Sequence, residues 1–272
     1  MDKNAPIGIF DSGLGGLTVA RAVMDVLPQE NLLYVGDTLN TPYGNKPLSQ
    51  VRQYALRIMD SLVERGVKML VIACNTASAA VLPDARERYS EALDIPVVEV
   101  IRPAATHAIE VSRSGKIGVI GTQATIMSEV YQDALAVMPG VEVSAAACPQ
   151  FVDFVESGQT TGPLVREACA KYLQPLKQAQ VDTVVLGCTH YPLLAGAISY
   201  EMGPQVALVS SADPTAHLVY RHLVRRELLN DDPAPASISI EATDENKTFM
   251  ELAQRIIGRD RLLNGLDDRH AI

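Results

Sequence analysis

Several residue types are scarce in this sequence, and each shortage excludes a class of protein. The 272 residues include no Trp and only four Phe, and the formal net charge is −9. Few aromatic side chains and an acidic balance argue against a surface that stacks bases or binds the phosphates of a nucleic acid. We therefore expect no nucleic-acid partner.

Long apolar runs are also missing. No stretch approaches the roughly 20 apolar residues that a membrane-spanning helix needs. Asp2 and Lys3 precede a short strand-like segment, which is unlike the apolar centre of a signal peptide. We expect no membrane partner and a cytoplasmic location.

Cysteine is the third scarce residue. The four thiols belong to Cys74, Cys148, Cys169 and Cys188, and no two of them form a CxxC pair. This number and spacing disfavour both a disulfide framework and a zinc site. We therefore expect free thiols and no bound metal.

The residues that are present alternate between two patterns. Short β-branched runs such as IGIFDS are followed by segments of helical period, in which Leu17, Ala20, Val23 and Leu27 mark one face. Many of the short runs are apolar on both faces, as parallel strands covered by helices are. The pattern predicts an α/β fold with mostly parallel sheets flanked by helices.

The chain also repeats itself. IGIFDSG at 7–13 resembles IGVIGTQ at 117–123, and LVIACNTA at 70–77 resembles VVLGCTHY at 184–191. Because the two features recur in the same order at nearly the same separation, we predict two pseudo-symmetric lobes. Cys74 and Cys188 then occupy matching positions.

Polar residues follow the predicted strands. Ligands of open parallel sheets bind beyond the carboxyl ends of the strands, so two facing lobes would bring these residues into one cleft. Cys74 and Cys188 would approach it from opposite walls. The strand ends read Asp11-Ser12, Asp37-Thr38, Cys74-Asn75-Thr76, Gly121-Thr122 and Cys188-Thr189-His190.

The two matched cysteines have two readings. A lone cysteine after a strand is usually a small buried apolar residue. Two at equivalent positions, each followed by residues that begin a helix, favour reactive thiols, since a helix N-terminus lowers a thiol pKa. Cys148 and Cys169 lack this setting, and we interpret both as structural.

Other polar groups also leave alternatives open. Asp11 can cap the glycine loop that follows it, or it can accept a hydrogen bond from a substrate ammonium or hold a proton near Cys74. His190 can be an internally satisfied polar residue, a partner of Cys188 or a contact for a substrate carboxylate. The loop DSGLGG fits neither dinucleotide nor P-loop motifs.

Two opposed thiols suit proton transfer to both faces of one carbon. One thiolate removes a proton and the other thiol delivers one to the opposite face, which inverts the stereocentre. A non-catalytic amino-acid sensor and a thiol-redox protein are the alternatives from other classes.

The sequence resembles the cofactor-independent glutamate racemases of the aspartate/glutamate racemase superfamily. The resemblance rests on the blocks DSGLGG, ACNTA and GCTHYP in this order, with YVGDTLNTPYG and ACPQFVDFVESG between them. It implies a racemase without cofactor that interconverts L- and D-glutamate, supplies D-glutamate for peptidoglycan and forms a homodimer. Aspartate is the close alternative substrate.

The resemblance also implies lobes and roles. The first lobe would span 1–98 plus 211–272, and the second 99–210. Cys74 and Cys188 would be the acid/base pair, with Asp11 and His190 as auxiliary groups beside them and Glu156 supporting the second thiol. The remaining substrate-binding residues would be Ser12, Pro42, Tyr43, Gly44, Asn75, Thr76, Thr122 and Thr189, with Asp11 and His190 contributing.

Overall fold

A computed structural model describes residues 2–244 and 247–258 of the chain. Within these residues the strands alternate with helices along the sequence, as the apolar pattern predicts. The strands are β1 (Ile7–Asp11), β2 (Leu32–Gly36), β3 (Met69–Ile72), β4 (Val97–Glu99), β5 (Lys116–Gly121), β6 (Glu142–Ala147), β7 (Thr183–Gly187), β8 (Ala207–Ser210) and β9 (Ile238–Ala242).

The helices connect these strands. A π-helical segment at Arg86–Glu91 extends the third helix, and short 3-10 segments occupy Thr38–Asn40, Tyr43–Asn45 and Tyr191–Leu194. The α-helices are α1 (Leu17–Val26), α2 (Leu48–Glu64), α3 (Asn75–Ala85), α4 (Ile101–Val111), α5 (Gln123–Met127), α6 (Val130–Leu135), α7 (Gln150–Glu156), α8 (Pro163–Gln178), α9 (Ala195–Met202), α10 (Ala212–Arg225) and α11 (Lys247–Ile257).

The strands form two parallel sheets with the same internal order. The first sheet runs β4-β3-β1-β2-β9, and the second runs β6-β5-β7-β8. Read from its other edge, the second sheet is β8-β7-β5-β6, so β1 corresponds to β5 and β3 to β7. The registers agree: Ile7 pairs with Met69 in one sheet, and Ile117 pairs with Thr183 in the other. The predicted fold class is confirmed.

One apolar cluster joins the two sheets. It contains Ile9 and Val71 from the first sheet and Val119 and Val185 from the second, together with the inner faces of α1, α4 and α10. The opposite face of each sheet packs against its own outer helices, α2 and α3 in one case and α8 in the other. Burying both faces explains why the strands read as continuous apolar runs.

The chain returns to the first sheet near its end. β9 pairs in parallel with β2 along its whole length. The lobe boundaries 1–98 plus 211–272 and 99–210 stay a prediction, and residues 245–246 and 259–272 lie outside the described residues. Among the residues described, no helix has the length and apolar character that a membrane crossing requires.

The second helix begins after a proline. α2 starts at Leu48 with Pro47 in the capping position. Proline suits the start of a helix because its fixed φ matches helical geometry and its missing N–H would have no intrahelical acceptor. α2 ends at Glu64, and Gly66 beyond it adopts the positive φ of 77° that is typical of a glycine after a helix.

Candidate active site

The carboxyl ends of four central strands converge on one pocket. Asp11 ends β1, Cys74 follows β3, Thr122 follows β5 and Cys188 follows β7. The parallel registers hold these ends level, because each sheet pairs its two central strands along their length. Two sheets thus present equivalent positions to a common space.

The pocket contains nearly all of the predicted site residues. The space among its lining atoms, including the part that opens to solvent, is about 300 Å³. Asp11 lies directly behind this lining and is fully buried. The lining residues are Ser12, Pro42, Tyr43, Gly44, Cys74, Asn75, Thr76, Thr122, Val152, Cys188, Thr189 and His190.

Cys74 caps the amino end of α3. Its Sγ accepts a hydrogen bond from the Ala77 N–H at 3.4 Å, and its thiol donates to Ser12 Oγ at 3.8 Å. Burial raises the pKa of Cys74, the Asp11 carboxylate raises it further, and the helix amide lowers it by less. The helix start does lower the pKa as predicted, but burial and Asp11 outweigh it, so the expected thiolate is wrong for Cys74 and its resting form is the thiol.

Cys188 has a different setting. No α-helix begins beside it within the described chain; the 3-10 segment Tyr191–Leu194 follows instead. Its Sγ lies 3.7 Å from Nδ1 of His190, and both side chains are buried. The two matched cysteines are thus positioned alike by their strands but have different local partners.

His190 connects Cys188 with Glu156. Its Nε2 lies 3.3 Å from Glu156 Oε1, which is close enough for an ion pair but outside hydrogen-bond geometry. Burial lowers the pKa of His190, yet the interactions with Cys188 and Glu156, aided by Asp11, prevail and raise it to about 10. At neutral pH His190 is therefore an imidazolium.

This pKa makes the stability of the protein depend on pH. Between the unfolded pKa of about 6.5 and the folded value of about 10, the folded state holds one proton more than the unfolded state. The stability that His190 contributes is thus present at low pH and lost as the pH rises. Relative to His190→Gln, we expect the wild-type unfolding free energy to fall by up to about 1.4 kcal/mol per pH unit.

Urea unfolding of both proteins at several values from pH 7 to pH 9 measures this difference. His217→Gln is the matched control, because it removes a histidine that is exposed on α10. Glu156→Gln should make the unfolding free energy fall less steeply with pH, because it removes one of the interactions that raise the pKa of His190. Parallel pH profiles for wild type and His190→Gln would contradict the assignment of a cationic His190.

Asp11 caps the glycine loop that follows it, and its role toward a substrate ammonium or a proton near Cys74 stays a prediction. One carboxylate oxygen, Oδ2, accepts hydrogen bonds from the N–H groups of Gly13 and Gly16, which makes Asp11 the anchor of the glycine loop. The other oxygen, Oδ1, accepts a 3.5 Å hydrogen bond from Thr189 Oγ1 of the opposite sheet. Through this bond Asp11 contacts Thr189, which itself lines the pocket.

Close contacts join the two halves of the pocket. The Thr76 hydroxyl lies 3.0 Å from Thr122 Oγ1, across the two sheets. A Cβ added at Gly44 would lie 2.6 Å from the Cβ of Thr122, and one at Gly15 would lie 2.3 Å from Thr189 Oγ1. Only glycine permits such approaches of backbone to the facing side chain.

The turn that contains Pro42, Tyr43 and Gly44 forms one side of the pocket. The hydroxyl of Tyr43 donates to Asp37 Oδ2, and the cis peptide bond of the turn lies between Thr41 and Pro42. Since the Tyr43 hydroxyl is engaged with Asp37, the backbone and ring of this turn are the parts that remain for the pocket.

Glu156 stands apart from the other predicted residues. It is the last residue of α7, its side chain is 37% exposed, and it lines a neighbouring cavity with Gly13, Leu14 and Phe249. Its link to the pocket is through His190. Cys148 and Cys169 line no part of the pocket, and all four cysteines are free thiols.

Three residues near the pocket were missed by sequence reasoning. Val152 of α7 lines it, Thr125 lies 3.0 Å from Thr122 Oγ1, and Tyr131 of α6 bonds to Asn75. None of them belongs to a strand end or a glycine motif. Only the packing of the second sheet's helices brings them to the cleft.

The fold and the pocket define a class: α/β proteins with two parallel sheets and a thiol from each sheet's strand ends in one shared pocket. The sequence model for "Asp/Glu/Hydantoin racemase" matches residues 18–219. The glutamate racemase of Beutenbergia cavernae is 57% identical over 277 aligned residues, covering 98% of this chain and 93% of its own.

Solved structures agree with this sequence match. The glutamate racemase isoform RacE1 of Bacillus anthracis superposes with a TM-score of 0.89 at 38% identity, covering 94% of this chain and 95% of its own. The Francisella tularensis glutamate racemase solved with D-glutamate gives 0.87 at 32% identity, covering 94% of each chain. This chain therefore belongs to the Asp/Glu/Hydantoin racemase family, and the prediction of an amino-acid racemase is confirmed.

Proposed function

We propose that the chain interconverts L- and D-glutamate by a two-base mechanism in which Cys74 and Cys188 exchange roles. The observation that carries the proposal is that both thiols line one buried pocket from equivalent strand ends of two sheets. An α-carbon held between them has one sulfur on each face. Curated relatives named as glutamate racemases support glutamate as the substrate.

The proposed proton path starts from the resting charges. The Cys188 sulfur lies 3.7 Å from Nδ1 of the His190 imidazolium, while the raised pKa of Cys74 keeps its proton in place. Cys188 would then take the α-proton and Cys74 would deliver one to the opposite face. In the reverse direction the two thiols exchange roles.

The polar groups around the thiols would hold the amino acid. The hydroxyls of Ser12, Thr76, Thr122 and Thr189 and the amide of Asn75 supply hydrogen-bond donors to carboxylate oxygens. Asp11 Oδ1 would accept from the ammonium group. Pro42, Tyr43 and Gly44 would close the side of the pocket through shape.

Stabilising the carbanion is the difficult step, because the α-proton of an amino acid is weakly acidic. Donors fixed around the substrate carboxylate act more strongly in a pocket that excludes water than they would in bulk solvent. The space open to water-sized molecules in this pocket is only about 20 Å³. That is room for one or two waters, so the pocket as it stands holds little solvent around the two thiols.

The remaining parts of the proposal follow from the family resemblance. D-Glutamate made here would enter peptidoglycan synthesis, and the enzyme would act as a cytoplasmic homodimer built from lobes 1–98 plus 211–272 and 99–210. Light scattering coupled to gel filtration tests the dimer directly. A monomer at the concentrations used for the activity assay would contradict the homodimer and leave the proposed racemisation untouched.

A coupled assay tests the activity. Purified protein incubated with L-glutamate and no added cofactor should produce D-glutamate, and the reverse reaction should give the same equilibrium mixture. L-Aspartate tested in parallel decides the side-chain length that the pocket accepts. Faster turnover of aspartate would make aspartate the substrate of the proposed racemase. Binding of glutamate without exchange of its α-proton in D₂O would contradict racemisation and indicate a non-catalytic amino-acid sensor.

A further inference from the structure

A buried hydrogen bond joins the two lobes beside the pocket, and the proposed proton path does not use it. Tyr131 lies on α6, and Asn75 is the first residue of α3, directly after Cys74. The Tyr131 hydroxyl donates to Asn75 Oδ1 at 2.7 Å. Tyr131 is fully buried and Asn75 is 2% exposed, so water does not compete for this bond.

The bond determines which way the Asn75 amide faces. Its oxygen is turned toward Tyr131, so its NH₂ group points away from Tyr131 within the same amide plane. Nδ2 is buried and has no hydrogen-bond partner in the described part of the chain, although Asn75 lines the pocket. A buried donor without an acceptor costs free energy that a ligand oxygen would recover.

The reversed amide is less favourable. It would place the NH₂ group against the Tyr131 hydroxyl and leave the phenol proton without an acceptor, because Asn75 is the hydrogen-bond partner of Tyr131 among residues 2–244 and 247–258. Burial, together with the Glu99 carboxylate, raises the pKa of Tyr131, so the hydroxyl keeps its proton and must donate it. One amide orientation therefore satisfies both side chains.

We propose that Tyr131 is a positioning residue that holds the Asn75 NH₂ group toward a carboxylate of the bound amino acid. The inference rests on the proposed function, because it assigns the ligand oxygen to that substrate. Tyr131 itself does not touch the substrate. Its effect is to prepare the donor before binding, which removes the cost of turning the amide during binding.

Replacing Tyr131 with phenylalanine tests this inference with little change in shape. We expect Tyr131→Phe to raise the KM for glutamate about tenfold, with a smaller change in kcat. The amide would be free to turn its oxygen toward the substrate carboxylate, which weakens binding in the ground state and the transition state alike. A defect in packing would instead lower kcat and thermal stability together.

A double-mutant cycle separates positioning from packing. In an Asn75→Ala background, Tyr131→Phe should leave KM unchanged, because the amide that it orients is gone. Tyr89→Phe is the matched control: Tyr89 is 2% exposed and donates to Asp60 Oδ1 at 2.6 Å in the outer helical layer. This control should leave KM at the wild-type value.

A second measurement needs no altered tyrosine. Glutamate added to ¹⁵N-labelled wild-type protein should shift the side-chain amide resonance of Asn75, which is assigned by its loss in Asn75→Ala. An unmoved resonance, or an unchanged KM in Tyr131→Phe, would overturn the inference while the proposed function stands. A wild-type protein that neither binds nor racemises glutamate would overturn both.

Discussion

Replacing Cys74 or Cys188 with serine should slow glutamate racemisation by about a thousandfold. Serine is nearly the same size and keeps a hydrogen-bonding group, but its hydroxyl is far too weak an acid to share a proton at neutral pH. Under the proposed mechanism, each substitution would remove the acid/base group from one face of the α-carbon while the other thiol stays in the pocket. Initial rates from both enantiomers measure the effect.

The double variant makes this prediction sharper. If the two thiols act as a unit, Cys74→Ser combined with Cys188→Ser should be about as slow as either single variant. Cys169→Ser is the matched control, because Cys169 is buried within α8 and lines no part of the pocket. Retention of more than a tenth of the activity by both single variants would contradict the two-thiol mechanism.

Isotope exchange adds the stereochemical evidence. In D₂O, the second thiol carries solvent deuterium, so the product should be deuterated from the first turnover while the remaining substrate keeps its α-hydrogen. A single base that removes and returns the same proton would give substantial unlabelled product. Mass spectrometry of separated enantiomers at low conversion distinguishes the two outcomes.

The strand ends of the cleft could be predicted from the sequence because their signals are local. A parallel strand buried on both faces leaves a short apolar run, and the polar residue that follows marks its carboxyl end. Cys74 and Cys188 were found in this way. Their equivalence was visible because the two sheets repeat one strand order, so the same pattern appears twice along the chain.

The pKa values of Cys74 and His190 could not be predicted in the same way. The sequence shows that Cys74 precedes a helix, which favours a thiolate, but burial and the Asp11 carboxylate decide the direction of its pKa. Likewise, the raised pKa of His190 depends on Cys188 and on Glu156, which belongs to a different helix. Such terms depend on distances between segments that are remote in sequence.

The supporting residues were hidden for the same reason. Tyr131 and Asn75 are separated by 56 positions, and their hydrogen bond exists only because α6 packs against the start of α3. A tyrosine in a short amphipathic helix reads as an ordinary core residue. Its hydroxyl acquires a role only through the group that it meets after folding.

The second large effect concerns a buried ion pair remote from the catalytic chemistry. Lys68, at the start of the strand that leads to Cys74, is fully buried, and its Nζ lies 2.5 Å from Glu30 Oε2. The same ammonium donates to the backbone oxygens of Lys3 and Leu228. Lys68 therefore connects the amino end of β3 in the first sheet with the segment near Leu228, which follows α10.

Lys68→Met should lower the free energy of unfolding by about 3–5 kcal/mol. Methionine fills a similar volume but leaves the Glu30 carboxylate buried without its cation, although Glu30 Oε1 still accepts from the Asn230 N–H. Urea unfolding at neutral pH measures the loss. Arg52→Met is the control, because its partner Asp84 is a surface carboxylate and such pairs contribute at most about 1 kcal/mol.

Removing both charges should be less harmful than removing one. In Lys68→Met combined with Glu30→Gln, the buried negative charge is gone and the neutral amide can still accept from Asn230, so we expect part of the lost stability to return. Turnover below the melting temperature should remain within a fewfold of wild type in both proteins, since neither residue reaches the pocket. A double variant less stable than Lys68→Met would show that the packing of these two side chains, and not the unpaired charge, sets the cost.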